Sequence, residues 1–281
     1  MSRIYEALRK LESEQQRRPT AAVAAEAAPA PSMEFLQGVL PTQVDVSGAA
    51  SIQVNIPAAS RLVSLADPQS LGAEKFRALA TRLENLRSKK ELKSLQVTSS
   101  VAHEGKTLVS TNLALTFALS SASKVLLVEG DLHTAALGPL LGLTGLPGIC
   151  QWWSGSDADL TNATCKFDDL PLWFLPAGKS YEQPSNILQS ARFAEALLRL
   201  SGAFDWIIVD TPPLLPFADA NLWSRLLDGT LLVVREGVAS VKALKKGIEA
   251  IDNLNLLGVV LNDASETDDP NYKDQYYYLQ R

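Results

Sequence analysis

The sequence is short of cysteine. It has 2 in 281 residues, Cys150 and Cys165, and their spacing fits no metal-binding pattern. Such usage suits free thiols in a reducing cytosol, and nothing in it supports a disulfide. Positive charge is not in excess either: 26 basic against 31 acidic side chains leave a net charge of −5, which argues against a general nucleic-acid binder. No apolar run approaches the roughly 18–20 residues of a membrane span. The opening "MSRIYEALRK" lacks the apolar core of a secretion signal. The expected location is therefore cytoplasmic, with any membrane contact made through a partner. No internal repeat is visible. Apolar residues, by contrast, are plentiful at 46%, enough for one large α/β domain with extensions or for two small domains.

The chain divides by composition. Residues 1–18 read as an amphipathic helix, with Ser2 able to cap it and Ile4, Leu8 and Leu11 on one face. Residues 19–69 begin with an Ala/Pro-rich linker and continue as an irregular segment, with a weak strand hint at "SIQVNI". Residues 70–266 carry strong periodicity. "AEKFRALATRLENLR" is helical, with Phe76, Leu79, Leu83 and Leu86 on one face. "LQVTSS", "KVLLVEGD", "PLWFLPAG", "DWIIVDTPP", "GTLLVVREG" and "LLGVVLND" read as strands, alternating with helical stretches such as "SARFAEALLRLSGAF" and "VKALKKGIEAIDNL". Continuous apolar strands alternating with helices predict an α/β fold, a mostly parallel central sheet with helices on both faces. Residues 267–281 form a tail holding four of the 6 tyrosines: Tyr272, Tyr276, Tyr277 and Tyr278. An aromatic ring left in water wastes its apolar area, so these rings either pack in a groove or serve as sites of modification.

The junction "SVAHEGKTL" carries the chemistry. It comprises Ser100, Val101, Ala102, His103, Glu104, Gly105, Lys106, Thr107 and Leu108, between a strand and a helix. A P-loop reads G-x-x-x-x-G-K-[ST] in that context. The first glycine is here Ser100. Backbone N–H groups and the helix N-terminus would face phosphates, Lys106 would supply a mobile positive charge, and the Thr107 hydroxyl would ligate magnesium. A GKT triplet alone arises often by chance. Glu129 and Asp131 end one strand and Asp210 another. In an open parallel sheet ligands bind beyond the carboxyl ends of the strands. One such acid would read as a cap; three beside a P-loop point to magnesium and proton handling.

At these residues the chain resembles the bacterial tyrosine (BY) kinases, the autokinases of capsule and exopolysaccharide export in the deviant-Walker P-loop superfamily. "TSSVAHEGKT", "VLLVEGDLHTAAL" and "IIVDTPPLLPFADA" are similar to their Walker A, A′ and B motifs, and "AEKFRALATRL" to the helix that precedes them. The tail resembles their autophosphorylation cluster. The resemblance implies ATP and Mg2+ as cofactors, with phosphate held by Lys106 and magnesium by Thr107, Glu129 and Asp210. It further implies Glu129 as the acid assisting tyrosine deprotonation, Asp131 as the second acid of that motif, and Asn262 at the adenine. Tyr272, Tyr276, Tyr277 and Tyr278 would be phosphoacceptors. Glu74 and Arg77 would make subunit contacts in a ring-like homo-oligomer, and a membrane chain-length-determining protein would serve as activator.

The motifs also depart from the family. Ala102 and His103 replace Pro-Gly, Glu129 lengthens the usual aspartate by one methylene, and His133 replaces an arginine. In the helix motif Ala80 stands at the second arginine, with Arg82 two places on. If position 103 requires a positive φ, the missing glycine strains the loop. Two other functions stay open: a switch ATPase of the partition or division-site type, and a nucleotide-binding scaffold without catalysis. The first is disfavoured by Val101, where such ATPases carry a second lysine, and by the tyrosine tail.

Overall fold

The computed structural model describes residues 44–46, 48–54, 60–120, 123–156, 159–179, 183–215, 218–250 and 256–264. The helix expected over 1–18 and the tyrosine tail over 267–281 lie outside them.

Eight strands form one sheet: β1 (Ala50–Ile52), β2 (Ser94–Ser99), β3 (Val125–Glu129), β4 (Cys165–Phe167), β5 (Leu172–Leu175), β6 (Trp206–Asp210), β7 (Gly229–Arg235) and β8 (Leu256–Asn262). Their order is β1-β4-β5-β3-β6-β2-β7-β8. Every pair is parallel except β4 with β5. The helices are α1 (Val63–Ala66), α2 (Leu71–Arg87), α3 (Lys106–Ser120), α4 (Leu137–Leu140), α5 (Ile149–Ser154), α6 (Pro184–Leu188), α7 (Ala191–Ser201), α8 (Asp219–Leu226) and α9 (Val241–Ala250).

The central strands are buried on both faces because their side chains alternate between two cores. Val125, Leu127, Trp206 and Ile208 face the core formed with α2 and α3. Leu126, Val128, Ile207 and Val209 face the opposite core, which holds Phe193 and Trp223. Phe117 of α3 stacks on Trp206 with ring centroids 4.4 Å apart. The expected apolar face of α2 is realised: Leu83 is buried, and Phe76, Leu79 and Leu86 pack on the same core. Serines cap two helices, Ser70 accepting the Ala73 N–H and Ser190 the Phe193 N–H.

Two findings extend the sequence reading. The fold takes in residues before 70: β1 pairs with β4, and Leu62 is fully buried. The Asn112 side chain on α3 also accepts the Ser64 N–H and donates to the Arg61 carbonyl. The weak hint at "SIQVNI" thus becomes the outer strand. In addition, β4 is a strand that the sequence does not announce. Both are three residues long, too short for a period of two to show.

Candidate active site

The sheet order places β2 between β6 and β7, and β6 between β2 and β3. In register, Val97 of β2 and Glu129 of β3 flank Asp210 of β6. The carboxyl ends of three strands far apart in sequence therefore converge, with α3 rising directly from the loop after β2.

That loop has a fixed path. His103 has φ 67° and Gly105 φ 90°. The left-handed region is open to glycine and costs a non-glycine residue about 1 kcal/mol. The strain anticipated at position 103 is present, borne by an exposed histidine. Glu104 is wholly buried. Its carboxylate accepts the Val101 N–H at 2.9 Å and the Arg235 N–H at 3.3 Å. Burial raises its pKa above the usual carboxylate value, opposed by those backbone hydrogen bonds. The segment after β6 ties down the start of the loop: Leu214 N–H donates to the Ser99 carbonyl and Leu215 N–H to that of Ser100. A β-carbon on Gly247 of α9 would lie 2.6 Å from Ser100 Oγ. The loop's serine thus has room only because the facing helix carries a glycine.

Lys106 opens α3. Its ammonium lies 3.4 Å from Asp131 Oδ2 and 3.4 Å from the Thr107 hydroxyl. The other oxygen of Asp131 accepts the Thr134 N–H at 2.9 Å. Asp210 is different. It is buried, and neither carboxylate oxygen finds a hydrogen bond of ordinary geometry. Its pKa is pushed up to about 6, chiefly by desolvation, with Asp131 and Glu129 adding to the rise. The Lys106 charge and the nearby Thr107 hydroxyl oppose that rise. A buried carboxylate short of hydrogen bonds is costly, and it suits a hard cation that prefers oxygen ligands. The Thr107 hydroxyl and Asp210 therefore fit magnesium.

Glu129 has other partners. Its Oε1 accepts the N–H groups of Leu137, at 2.8 Å, and Gly138, at 3.1 Å. Its Oε2 accepts the Ala177 N–H at 3.1 Å. The longer side chain thus pins the start of α4 and the segment after β5. It also borders a cavity of about 540 Å³ lined by Pro139, Leu146, Phe174 and Lys179. His133, where an arginine was expected, pairs with Asp219 of α8 at 2.6 Å. The Trp223 indole N–H donates to the Gly130 carbonyl at 3.0 Å, so α8 holds the segment after β3 at two points. Asn262 donates its side-chain N–H to the Glu104 carbonyl at 2.9 Å. Glu74 and Arg77 form an exposed pair on α2, 2.5 Å apart, and Arg77 also reaches the Pro68 carbonyl.

The structure thus gathers Lys106, Thr107, Asp131 and Asp210 at one point and sets Glu129 beside them with both its oxygens on backbone N–H groups. Trp223, Asp219 and Gly247 support the site without any sequence signal short of the fold itself.

No family model matches the chain. Among curated proteins, the tyrosine-protein kinase CpsD of Streptococcus agalactiae is 33% identical over 197 residues, 69% of this chain and 83% of that protein. The chain belongs to the bacterial tyrosine-protein kinases. The kinase is likewise 30% identical over 208 residues to the tyrosine-protein kinase YwqD of Bacillus subtilis, covering 72% of this chain and 85% of that one. Among solved structures, the kinase domain of the Escherichia coli tyrosine kinase ETK superposes with a TM-score of 0.69 at 26% identity. That match covers 78% of this kinase and 90% of the ETK domain. The cell-division ATPase MinD of Pyrococcus furiosus matches with a TM-score of 0.52 at 23% identity, a likeness of fold.

Proposed function

We propose that this family member is an ATP- and magnesium-dependent tyrosine autokinase that phosphorylates its own C-terminal tyrosines and thereby regulates capsule or exopolysaccharide export. One observation carries the reading: Lys106, Thr107, Asp131 and the unpartnered, buried Asp210 meet beneath a phosphate-type loop. The loop N–H groups and Lys106 bind and orient the triphosphate. Magnesium held by Thr107 and Asp210 would supply charge neutralisation at the phosphate oxygens.

A phenol has pKa near 10, so a carboxylate must take its proton as transfer proceeds. Asp131 is paired with Lys106. When Lys106 turns to phosphate, Asp131 Oδ2 is freed to accept that proton. Glu129, with both oxygens on backbone N–H groups, instead shapes the wall of the adjoining cavity, which has room for a phenol ring. The acceptors would be Tyr272, Tyr276, Tyr277 and Tyr278, presented by a neighbouring copy in an oligomer in which Glu74 and Arg77 make contacts. Each phosphate adds about −1.5 to −2 charges at pH 7, so several on one tail would repel one another and release it. Among the described residues no helix is long and apolar enough to cross a membrane. A membrane chain-length-determining protein would hold the kinase peripherally at the inner face.

The test is incubation of the purified chain with magnesium ATP, with and without such a partner, followed by mapping of phosphotyrosine. Wild type should label the tail and Lys106→Met should not. An unlabelled tail in wild type, partner included, would sink the proposal. Asp131→Asn should lower kcat by at least about 100-fold with little change in ADP affinity. Glu129→Gln should lose less rate and show a lower melting temperature.

A further inference from the structure

We propose that Glu104 and Asn262 form a clamp that positions the phosphate loop, so that Asn262 acts on the phosphate end of the nucleotide rather than only at the base. The inference rests on the nucleotide reading above. Three contacts define the clamp. The Glu104 carboxylate holds Val101 N–H inside the loop and Arg235 N–H at the end of β7. The Glu104 carbonyl accepts from Asn262 at the end of β8. The partner is a carbonyl, so only the amide N–H of Asn262 can meet it. The Arg235 guanidinium pairs with Asp263 at 2.6 Å, and Glu236 N–H donates to the Asn262 backbone carbonyl at 3.4 Å. The ends of β7 and β8 are therefore locked to each other, and both hold residue 104.

The position of the Asn262 amide makes the clamp tight. Its nitrogen lies 2.1 Å from the place a β-carbon on Gly105 would occupy. It thus covers the glycine immediately before Lys106, where the loop turns with φ 90°. The residue before the clamp, His103, is a non-glycine at φ 67° and would relax toward negative φ if released. Such relaxation would rotate the peptide planes whose N–H groups face the phosphates. Glu104 and Asn262 are accordingly positioning residues. Their loss should weaken any ligand with a phosphate chain, whatever base it carries.

The experiment is titration calorimetry of the full chain with magnesium ADP, GDP and inorganic tripolyphosphate. Asn262→Asp keeps the volume but turns an acceptor toward the Glu104 carbonyl. It and Asn262→Ala should each weaken all three ligands about 10-fold, with the ADP:GDP ratio unchanged within about twofold. Glu104→Ala should do the same. Glu104→Gln, which keeps one oxygen acceptor, should recover part of the loss. Unchanged tripolyphosphate binding together with a lost preference for ADP would overturn the clamp and leave Asn262 a reader of the base. Amide exchange on the wild-type chain gives a second measurement that no unfolded variant can confuse. The Val101 N–H should exchange more slowly than the Ala102 N–H, and equal rates would overturn the proposal. Wild type that binds none of the three ligands removes the phosphate site itself, and with it the inference.

Discussion

Replacing Asp210 by asparagine should stabilise the ligand-free chain while abolishing its response to magnesium nucleotide. Both oxygens of Asp210 are buried without hydrogen-bond partners, and its pKa rises from 3.8 to about 6. The folded state therefore prefers the protonated acid. Above pH 6 the fold must keep a carboxylate ionised against that preference. At about 1.4 kcal/mol per pKa unit, the penalty is about 3 kcal/mol. It is complete above the folded pKa and disappears as pH falls from about 6 toward 3.8. The neutral amide escapes it but leaves its own polar atoms short of partners, at a cost of about 1–2 kcal/mol. The net gain at pH 8 should be about 1–2 kcal/mol. For a domain of this size that raises the melting temperature by about 3–6 °C. Melts of wild type and Asp210→Asn at pH 8 and pH 5 isolate the group, because the other titrating residues are common to both. The gain should shrink at pH 5, where most of the wild-type carboxyl is protonated. Magnesium ADP should then raise the melting temperature of wild type but not of the variant. A variant neutral or destabilised at pH 8, or a gain independent of pH, would refute the account of an ionised, unpartnered carboxylate.

Other substitutions test the loop. His103→Gly removes the positive-φ strain and should stabilise the chain by up to about 1 kcal/mol, less the entropy glycine adds to the unfolded state; a lower melting temperature would contradict the assigned backbone. Gly247→Ala should press a methyl group on Ser100 and weaken ADP about 10-fold, and adding Ser100→Gly should restore most of the affinity. Calorimetry on the four proteins of that cycle decides it, since independent effects would show no coupling. Trp223→Phe loses the bond to the Gly130 carbonyl and leaves a cavity where the second ring of the buried indole packed, so urea unfolding should show a loss of about 2–4 kcal/mol.

The sheet was legible in the sequence where strands are continuous apolar runs, because burial on both faces leaves no polar position to blur them. β3, β5, β6 and most of β7 have that character; β2, with Ser94, Gln96, Thr98 and Ser99, is buried but mixed, and its position is betrayed by the loop motif that follows it. β1 and β4 have three residues each and lean on one another, so neither is visible alone. The positions of the loop after β2 and of the acids beside it were legible because motif and strand end coincide. The partners of those acids were not. Glu129 reaches N–H groups of residues 137, 138 and 177, and Glu104 reaches residue 235. Such pairings are set by which strands lie side by side, and no local pattern encodes that. His133 illustrates the point: in sequence it is a missing positive charge, while in the fold it is the partner of Asp219.

Asp210 lies in register between Val97 and Glu129, on neighbouring strands more than eighty residues away along the chain from Asp210. Closing connections of that length is slow compared with forming helices. The loop is local, but the site is not: until β2, β6 and β3 are paired, Asp131 and Asp210 do not meet it. A ligand that binds only the finished sheet stabilises it by mass action. Cellular nucleotide would then act as a latch on the last stage of folding, and a chain emerging where nucleotide is scarce would linger with that seam open.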